Sequence, residues 1–529
     1  MRTTADQEQF IGCLLGPADR CTATSERVRR ALGECHNDLW GAALCDLITI
    51  LGDDDDSFQG ISVVSTRQLH AMRRNWAAGA SEEELRRRIF ELRLIYDWPA
   101  LKSAVRLCPG STTGNFRLND LFNLLDMHIA PGAGFRAPAA GVPGHIGAQR
   151  QFFDTRRLIG AKNALVMTLV AMFYIDYQVC IESKREVVEQ YHKFALLLGQ
   201  RMQRQGLDLA HLGQFDQSSF YEGDVGFVSL NYDPIALWIG FLANRTLNTS
   251  PAVPHIGSPP VPLYLFHDMG HLIPSRGIGR PVQGPWYPMN EAVAQRLNEV
   301  KAGGDHKVRL SKFLFPHGSL CWRECPDCGK LSAFHGDEWT LFSRGLIPPP
   351  PLLAFDPIRC ADSIPQQEQD ERHRGRVDAR ECLHCGTLTF AQHTQVVMQS
   401  SLKPRAPSSI EEIERELRAT TMLARHIIFM GYSLPPDDVT LRAFFSARRQ
   451  SGEVLCTVVD KGDRNPGWYG PADIDLRLAE LPALSPVRAA RDIFGPENVR
   501  FFGGGIPDVF LDGAAPTNER VNKLLNWAA

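Results

Sequence analysis

The sequence predicts an α/β protein organised around a doubly wound parallel sheet, with a helical insertion and a small metal-binding module set into it. Three observations carry that expectation. Helical and strand-like segments alternate through the last third of the chain, apolar strand-like runs elsewhere end in short polar motifs, and two Cys-x-x-Cys pairs lie between those motifs. Strands that alternate with helices of this length need crossover connections, and crossovers produce parallel pairing.

The alternation is clearest after residue 395. A helix over Ser409–Arg425 leads to a strand at His426–Met430, a helix over Val439–Arg449 to a strand at Val454–Val459, and a helix over Ser485–Phe494 to a strand at Asn498–Phe502. Earlier strands are expected at Leu47–Leu51, Val225–Leu230, Leu263–Phe266 and Lys312–Phe315, each a short apolar run bounded by turn residues. Between the first two of these the pattern turns helical, over Glu82–Leu94, Leu118–Met127, Ala161–Tyr177 and Arg185–Arg204, interrupted by a Gly/Pro-rich loop from Ala130 to Gly147. The resulting division is an N-terminal helical segment (1–46), the first strand and phosphate-loop part of the sheet domain (47–65), a helical insertion (66–214), the sheet domain continued (215–320), a zinc-binding module (321–394) and the sheet domain completed (395–529).

Composition narrows the function classes. The hydrophobic fraction of 44% and charged fraction of 22% are ordinary for a globular chain of 529 residues. A net charge of −3 gives no sequence-wide attraction to nucleic acid or anionic membrane. The N-terminus lacks a basic region followed by an apolar one, so no secretory leader is expected. The most apolar stretch, Ala164–Ile175, is too short to span a bilayer and reads as a buried helix. Thirteen cysteines are an odd number, and four of them have paired spacing, which favours free thiols and a metal in a reducing compartment, the cytoplasm, over a disulfide framework.

Cys325-Pro326-Asp327-Cys328-Gly329 and Cys382-Leu383-His384-Cys385-Gly386 are two knuckles of one kind. Each tight turn can put two thiolates on one ion, with the glycine relieving the backbone where it bends. Together Cys325, Cys328, Cys382 and Cys385 make the closed tetrahedral set of a structural zinc. The alternatives are unrelated thiols or a single redox pair, and Cys321, Cys360 and His384 are substitute ligands within reach in sequence.

Three polar motifs follow expected strands: Ser229-Leu230-Asn231-Tyr232-Asp233-Pro234, Pro316-His317-Gly318-Ser319 and Met430-Gly431-Tyr432-Ser433-Leu434-Pro435-Pro436-Asp437-Asp438. Ligands of open α/β sheets bind at the carboxyl ends of strands, so Asn231, His317 and Ser433 are expected in one crevice. Taken singly, the first motif is a strand-end turn, the second a loop, and the third a helix start capped by Asp437 or Asp438.

In their order, Asn-x-Asp, His-Gly, two Cys-x-x-Cys pairs, then Gly-x-Ser-Leu, these motifs resemble the sirtuin family, and within it the divergent bacterial defence NAD hydrolases more than the protein deacylases. The resemblance covers residues 47–62 and 220–510. It implies a Rossmann-like sheet with NAD as substrate, with Asn231 and Asp233 facing the nicotinamide ribose and His317 as general base. It further implies that Gly431 and Ser433 line the adenosine side, that Asp460 lies near the adenine ribose, and that Gly504 belongs to the last nucleotide-contacting loop. Cleaving the nicotinamide–ribose bond develops positive charge on the sugar, which such an Asn and His can stabilise with no metal at the reacting centre.

The phosphate loop departs from the family pattern. Gly52 and Gly60 keep its glycine positions, but Asp54 and Asp56 stand where a Gly and a Ser are expected, within the run Asp53–Asp56. Four carboxylates repel a pyrophosphate that backbone N–H groups would otherwise cradle, unless a cation bridges the two. Ala78-Gly79-Ala80-Ser81 has similar letters but precedes a Glu-rich helix and reads as its cap. His267 and His271 have the spacing of a helical metal site, yet the intervening Gly270 and the missing Glu make that segment a loop.

Three functions follow: an NAD hydrolase of anti-phage defence, an NAD-dependent protein deacylase, or a non-catalytic nucleotide-sensing scaffold. A protein partner or second copy is expected to dock through the helical insertion. The zinc expectation is tested directly. Purified protein should carry about one zinc per chain, and Cys328→Ser should lose the metal or misfold; a fully folded, metal-free protein contradicts the assignment.

Overall fold

Parallel pairing dominates the carboxyl-terminal part of the chain. The computed structural model describes residues 64, 66, 68–70, 81–109, 117–138, 150–166, 169, 185–211, 225–233, 235–249, 263–268, 272–274, 309–319, 322–324, 331–333, 408–436, 438–461, 466–482 and 485–527. Helices α1 (Glu82–Ile95), α2 (Trp98–Leu107) and α3 (Leu118–Ile129) come first. The hairpin β1 (Phe135–Pro138) and β2 (Arg150–Phe153) follows, then a helix over 155–166 and the long helix α4 (Arg185–His211). Next are β3 (Phe227–Val228), α5 (Ile235–Thr249), β4 (Leu263–Asp268), β5 (Leu272–Pro274), β6 (Arg309–Leu314), β7 (Trp322–Glu324) and β8 (Leu331–Ala333). The last part comprises α6 (Ser408–Leu423), β9 (His426–Met430), α7 (Val439–Gln450), β10 (Leu455–Val459), β11 (Trp468–Tyr469), α8 (Pro471–Arg477), α9 (Pro486–Phe494), β12 (Val499–Phe502), β13 (Leu511–Asp512), β14 (Ala515–Pro516) and α10 (Asn518–Leu525).

Two sheets position the site. One has the order β11-β12-β10-β9, with β9, β10 and β12 parallel and the short β11 antiparallel at its edge. The other has the order β3-β6-β4, all parallel. The strands His426–Met430, Leu455–Val459 and Val499–Phe502 fall where the apolar runs predict them, because β-branched and aromatic residues suit a strand buried on both faces.

Alternation along these strands feeds two cores. Ile427, Phe429, Cys456, Val458, Val499 and Phe501 point to one face, against Ile413 and Leu417 of α6, Leu441 and Phe445 of α7, and Ala490 and Phe494 of α9. Phe313, Leu314 and Phe315, at the end of β6, join that same cluster, so both sheets share one core. Ile428, Met430, Val459 and Phe502 point the other way, toward Leu198 of α4 and Val521 and Leu524 of α10. Helices therefore cover both faces of the four-stranded sheet. Helix α4 falls within the predicted helical insertion, yet it packs on the sheet and on α5.

The second face also carries a buried polar network. Thr457 on β10 sits beside Arg500 on β12 in the parallel register. The Arg500 Nε donates to Thr457 Oγ1 at 2.9 Å, and its Nη atoms donate to the carbonyls of Lys523 and Leu524, orphan acceptors in the last turn of α10, and of Asn526 and Trp527 just beyond it. Its guanidinium lies over the rings of Trp468 and Trp527. His426 completes the network, with Nδ1 2.9 Å from Leu525 O and Nε2 2.7 Å from Thr457 Oγ1. Burial, reinforced by the Arg500 charge, pushes its imidazole down to about 4, and the Leu525 carbonyl only partly opposes this. A neutral ring donating to Leu525 and accepting from Thr457 satisfies every partner.

Local signals set several boundaries. Ser485 caps α9 through an Oγ that accepts from Arg488 N, Pro486 occupies the first turn, and Gly495 ends the helix with a φ of 88°. Ser81 accepts from Glu84 N, as expected of the cap of α1. Other segments differ from expectation. The Gly/Pro-rich stretch 130–147 contains β1, which pairs with Arg150–Phe153, because Gly134 has a φ of 63° and no room for a Cβ beside Phe153 O. Helix α5 has no predicted counterpart, and α4 runs past Arg204 to His211. Predicted elements over 1–46 and 47–51 lie outside the described residues, as do Gly52, Gly60 and all four cysteines of the quartet.

Candidate functional site

The parallel register brings strand ends to one level. Met430, Val459 and Phe502 pair across β9, β10 and β12, so Gly431, Asp460 and Gly503 leave the sheet side by side. Gly431 turns the chain with a φ of 67°, a conformation that favours glycine, and its N–H donates to Val459 O at 3.0 Å. Gly504 bridges to Lys461, next to Asp460, and a Cβ on Gly504 would fall 2.7 Å from the Phe502 ring. The Asp460 carboxylate accepts from Lys461 N at 2.8 Å, while its half-burial raises the carboxyl above the ordinary range.

On the neighbouring sheet, Val228 pairs with Leu314, and Ser229 N donates to Leu314 O at 2.9 Å. Beyond that pair the two chains separate into the turns 229–233 and 315–319. Gly318, with a φ of 74°, closes the second turn by donating to Phe315 O. Side chains then tie the turns together: Ser319 Oγ donates to Tyr232 O at 3.3 Å, and His317 Nδ1 lies 3.4 Å from Leu230 O.

The segment 431–438 reaches the same place from β9. The His317 Nε2 is 3.6 Å from Asp438 Oδ2, and the Tyr432 hydroxyl donates to that oxygen at 2.6 Å. Asp438 occupies the cap position of α7, but its carboxylate makes no capping bond. Of the two expected caps, Asp438 makes no side-chain capping bond, its carboxylate meeting the Tyr432 hydroxyl and the imidazole instead, and Asp437 lies outside the described residues. Leu434, buried with a φ of 50°, holds a conformation that costs a branched side chain energy, and its carbonyl accepts from Arg442 Nη1 at 3.0 Å.

The predicted residues therefore divide by exposure. Asn231, Gly431 and Ser433 are exposed, whereas His317 and Asp233 are buried. Asp233 Oδ1 accepts from Ile235 N at 3.0 Å at the start of α5, and Oδ2 has no partner among the described residues. Burial pushes this carboxyl up to about 6, against the Ile235 N–H that favours the charged form. Sequence reasoning missed Tyr432, Tyr232 and the inward role of Asp438. The signal available was the polar density of Tyr432–Asp438, which a helix-cap motif equally explains.

The antiparallel pair β7 and β8 matches Trp322 with Ala333 and Glu324 with Leu331. The segment joining them, which carries Cys325 and Cys328, lies outside the described residues. Among the described residues no group of three or more His, Cys, Asp or Glu gathers as a metal site, and no helix is long and apolar enough to cross a membrane.

Comparisons of the chain with protein-family profiles, with characterised proteins and with solved structures find no match.

Asp233 provides a pH test. A carboxyl with a higher pKa folded than unfolded stabilises the fold fully below its unfolded value of 3.8, and that contribution is lost as pH rises through about 6. Asp233→Asn keeps an oxygen for Ile235 N and cannot ionise. By chemical denaturation at pH 7.5 it should exceed the parent in stability by about 2–3 kcal/mol, with the difference vanishing near pH 4. Equal or lower stability at pH 7.5 contradicts this reading.

Proposed function

We propose that the chain binds NAD at the edge formed by the turns 229–233, 315–319 and 431–438 and hydrolyses it to nicotinamide and ADP-ribose, as a sirtuin-like enzyme of anti-phage defence acting in the cytoplasm. The observation that carries this reading is the meeting of three strand-end turns, distant in sequence, around His317. In this reading the sheet domain is doubly wound and Rossmann-like, and helices on both faces of the four-stranded sheet support it.

Each residue has a physical task. Breaking the glycosidic bond leaves positive charge on the ribose, and the exposed Asn231 amide holds the attacking water or a ribose oxygen close to it. His317 takes up the proton released as water adds to the sugar. The Gly431 turn and Ser433 line the adenosine side, Asp460 accepts from the adenine ribose, and Gly504 lets the backbone approach the nucleotide. Asp233 shapes the Asn231 turn by anchoring it to α5. Gly52 and Gly60 belong to the phosphate loop, whose aspartates weaken binding of the pyrophosphate unless a cation intervenes. Zinc on Cys325, Cys328, Cys382 and Cys385 is structural. In this reading a protein partner or second copy docks on the helical insertion.

A second reading, a nucleotide-sensing relative without catalysis, is favoured by one feature: His317 is only 1% exposed. Incubating the purified chain with NAD, with and without an acylated peptide, separates the cases. The hydrolase reading expects nicotinamide and ADP-ribose without peptide. It also expects roughly hundredfold less turnover in Asn231→Ala, whose exposed side chain can be removed with little change in unfolding temperature. Nicotinamide only in the presence of peptide identifies a deacylase, and NAD binding without turnover identifies the sensor.

A further inference from the structure

The His317 ring stands between two acceptors. Leu230 O faces Nδ1 at 3.4 Å and the Asp438 carboxylate faces Nε2 at 3.6 Å, with both side chains only 1% exposed. A neutral imidazole carries one N–H, so it serves one of these oxygens and turns a lone pair on the other. A ring protonated at both nitrogens donates to Leu230 O and carries its charge at ion-pair distance from the carboxylate. The carboxylate therefore favours the imidazolium over the imidazole, and its attraction biases the setting of the ring.

Asp438 is itself held in place. The Tyr432 hydroxyl donates to the same oxygen that faces the ring, at 2.6 Å, and Arg442 N donates to the Asp438 carbonyl at 3.1 Å as α7 begins. Because the side chain forms no capping bond, its charge is directed to the ring. Among the described residues, the facing 229–233 turn brings Leu230 O and Tyr232 (ring centroids 6.4 Å apart) to the ring and carries the buried Asp233, and Ser319 lies on the turn of His317 itself. From the 431–442 side come Tyr432, Asp438 and Arg442, whose guanidinium is engaged with Leu434 O. Among the described residues, the Asp438 carboxyl group is the one that faces a ring nitrogen.

We propose that Asp438, steadied by Tyr432, is a positioning residue for His317: it orients the ring and stabilises the charge the ring gains on accepting a proton. The proposal rests on the hydrolase reading for its functional meaning, but the His–Asp pair can be measured without activity. The pair also links the nucleotide-side segment 431–438 to the base, so that a ligand seated on Gly431 and Ser433 acts on the same element that holds His317.

The test uses Asp438→Asn in the full chain, which preserves shape and an acceptor for Tyr432 while removing the charge. Ring nitrogen NMR of histidine-labelled protein, with the His317 signal identified by its loss in His317→Ala, should show the ring of Asp438→Asn shedding its proton about one pH unit or more below the parent. In NAD turnover, kcat should fall about tenfold or more, with the KM for NAD within about twofold of the parent and the acidic limb of the pH profile moved to lower pH. Asp438→Glu should restore part of the loss. If Asp438→Asn does not fold, Tyr432→Phe decides, with a smaller shift in the same direction. An unchanged ring titration in the folded variant overturns the proposal, whatever the activity. A shifted titration in a chain that turns over no NAD leaves the His–Asp pair standing and removes the hydrolase reading instead.

Discussion

Strands that run in the same direction cannot be joined by a tight turn, so each must be followed by a crossover that returns the chain to the starting edge. β9, β10 and β12 obey this constraint, with α7 in one crossover and α8 and α9 in the other. Two consequences follow. The strands are covered on both faces and must be apolar through their middles, as Cys456, Val458 and Val459 are. Polar groups then collect where the strands end. The in-register row Met430, Val459 and Phe502 makes those ends flush, which is why Gly431, Asp460 and Gly504 occupy one rim.

The exception to the apolar middle explains how the chain closes. Thr457 lies in a buried strand, and its hydroxyl is satisfied on both sides, by His426 and by Arg500. Arg500 spends its remaining donors on the last carbonyls of α10, so the C-terminal helix is fastened to the sheet by a buried cation as well as by Val521 and Leu524. Removing one member of such a network leaves the others desolvated, the costly half of a buried polar contact. That polar network lies on the face of the sheet that α10 covers.

What was legible in the sequence follows from range. β9, β10 and β12 are written locally, in apolar runs with helix caps such as Ser485 between them, and their predicted bounds agree with the structure to within a residue. Asn231, His317 and Ser433 were legible as polar residues, and Gly431 as a turn residue, in the short segments that follow strands. The pairing of His317 with Asp438 was not, because no local pattern connects a turn after β6 with the cap position of α7. The same local reasoning left Asp437 or Asp438 as the cap of the helix that follows, and the structure turns the Asp438 carboxylate to Tyr432 and His317 instead. Helix α5 escaped because its apolar run, Ile235–Leu242, has the texture of a buried strand, while Gly134 hid a strand inside what reads as a loop.

The central claim is that the turns 229–233, 315–319 and 431–438 form a single nucleotide site. Amide hydrogen exchange of the full chain with and without saturating ADP-ribose measures this directly, because a shared ligand slows exchange wherever it orders backbone. The account predicts that protection rises together in all three turns, with Gly431 and the segment around Gly504 included, while α10 and its Arg500 network stay unchanged. Protection confined to one turn, or none in any of them at saturating ligand, would contradict it.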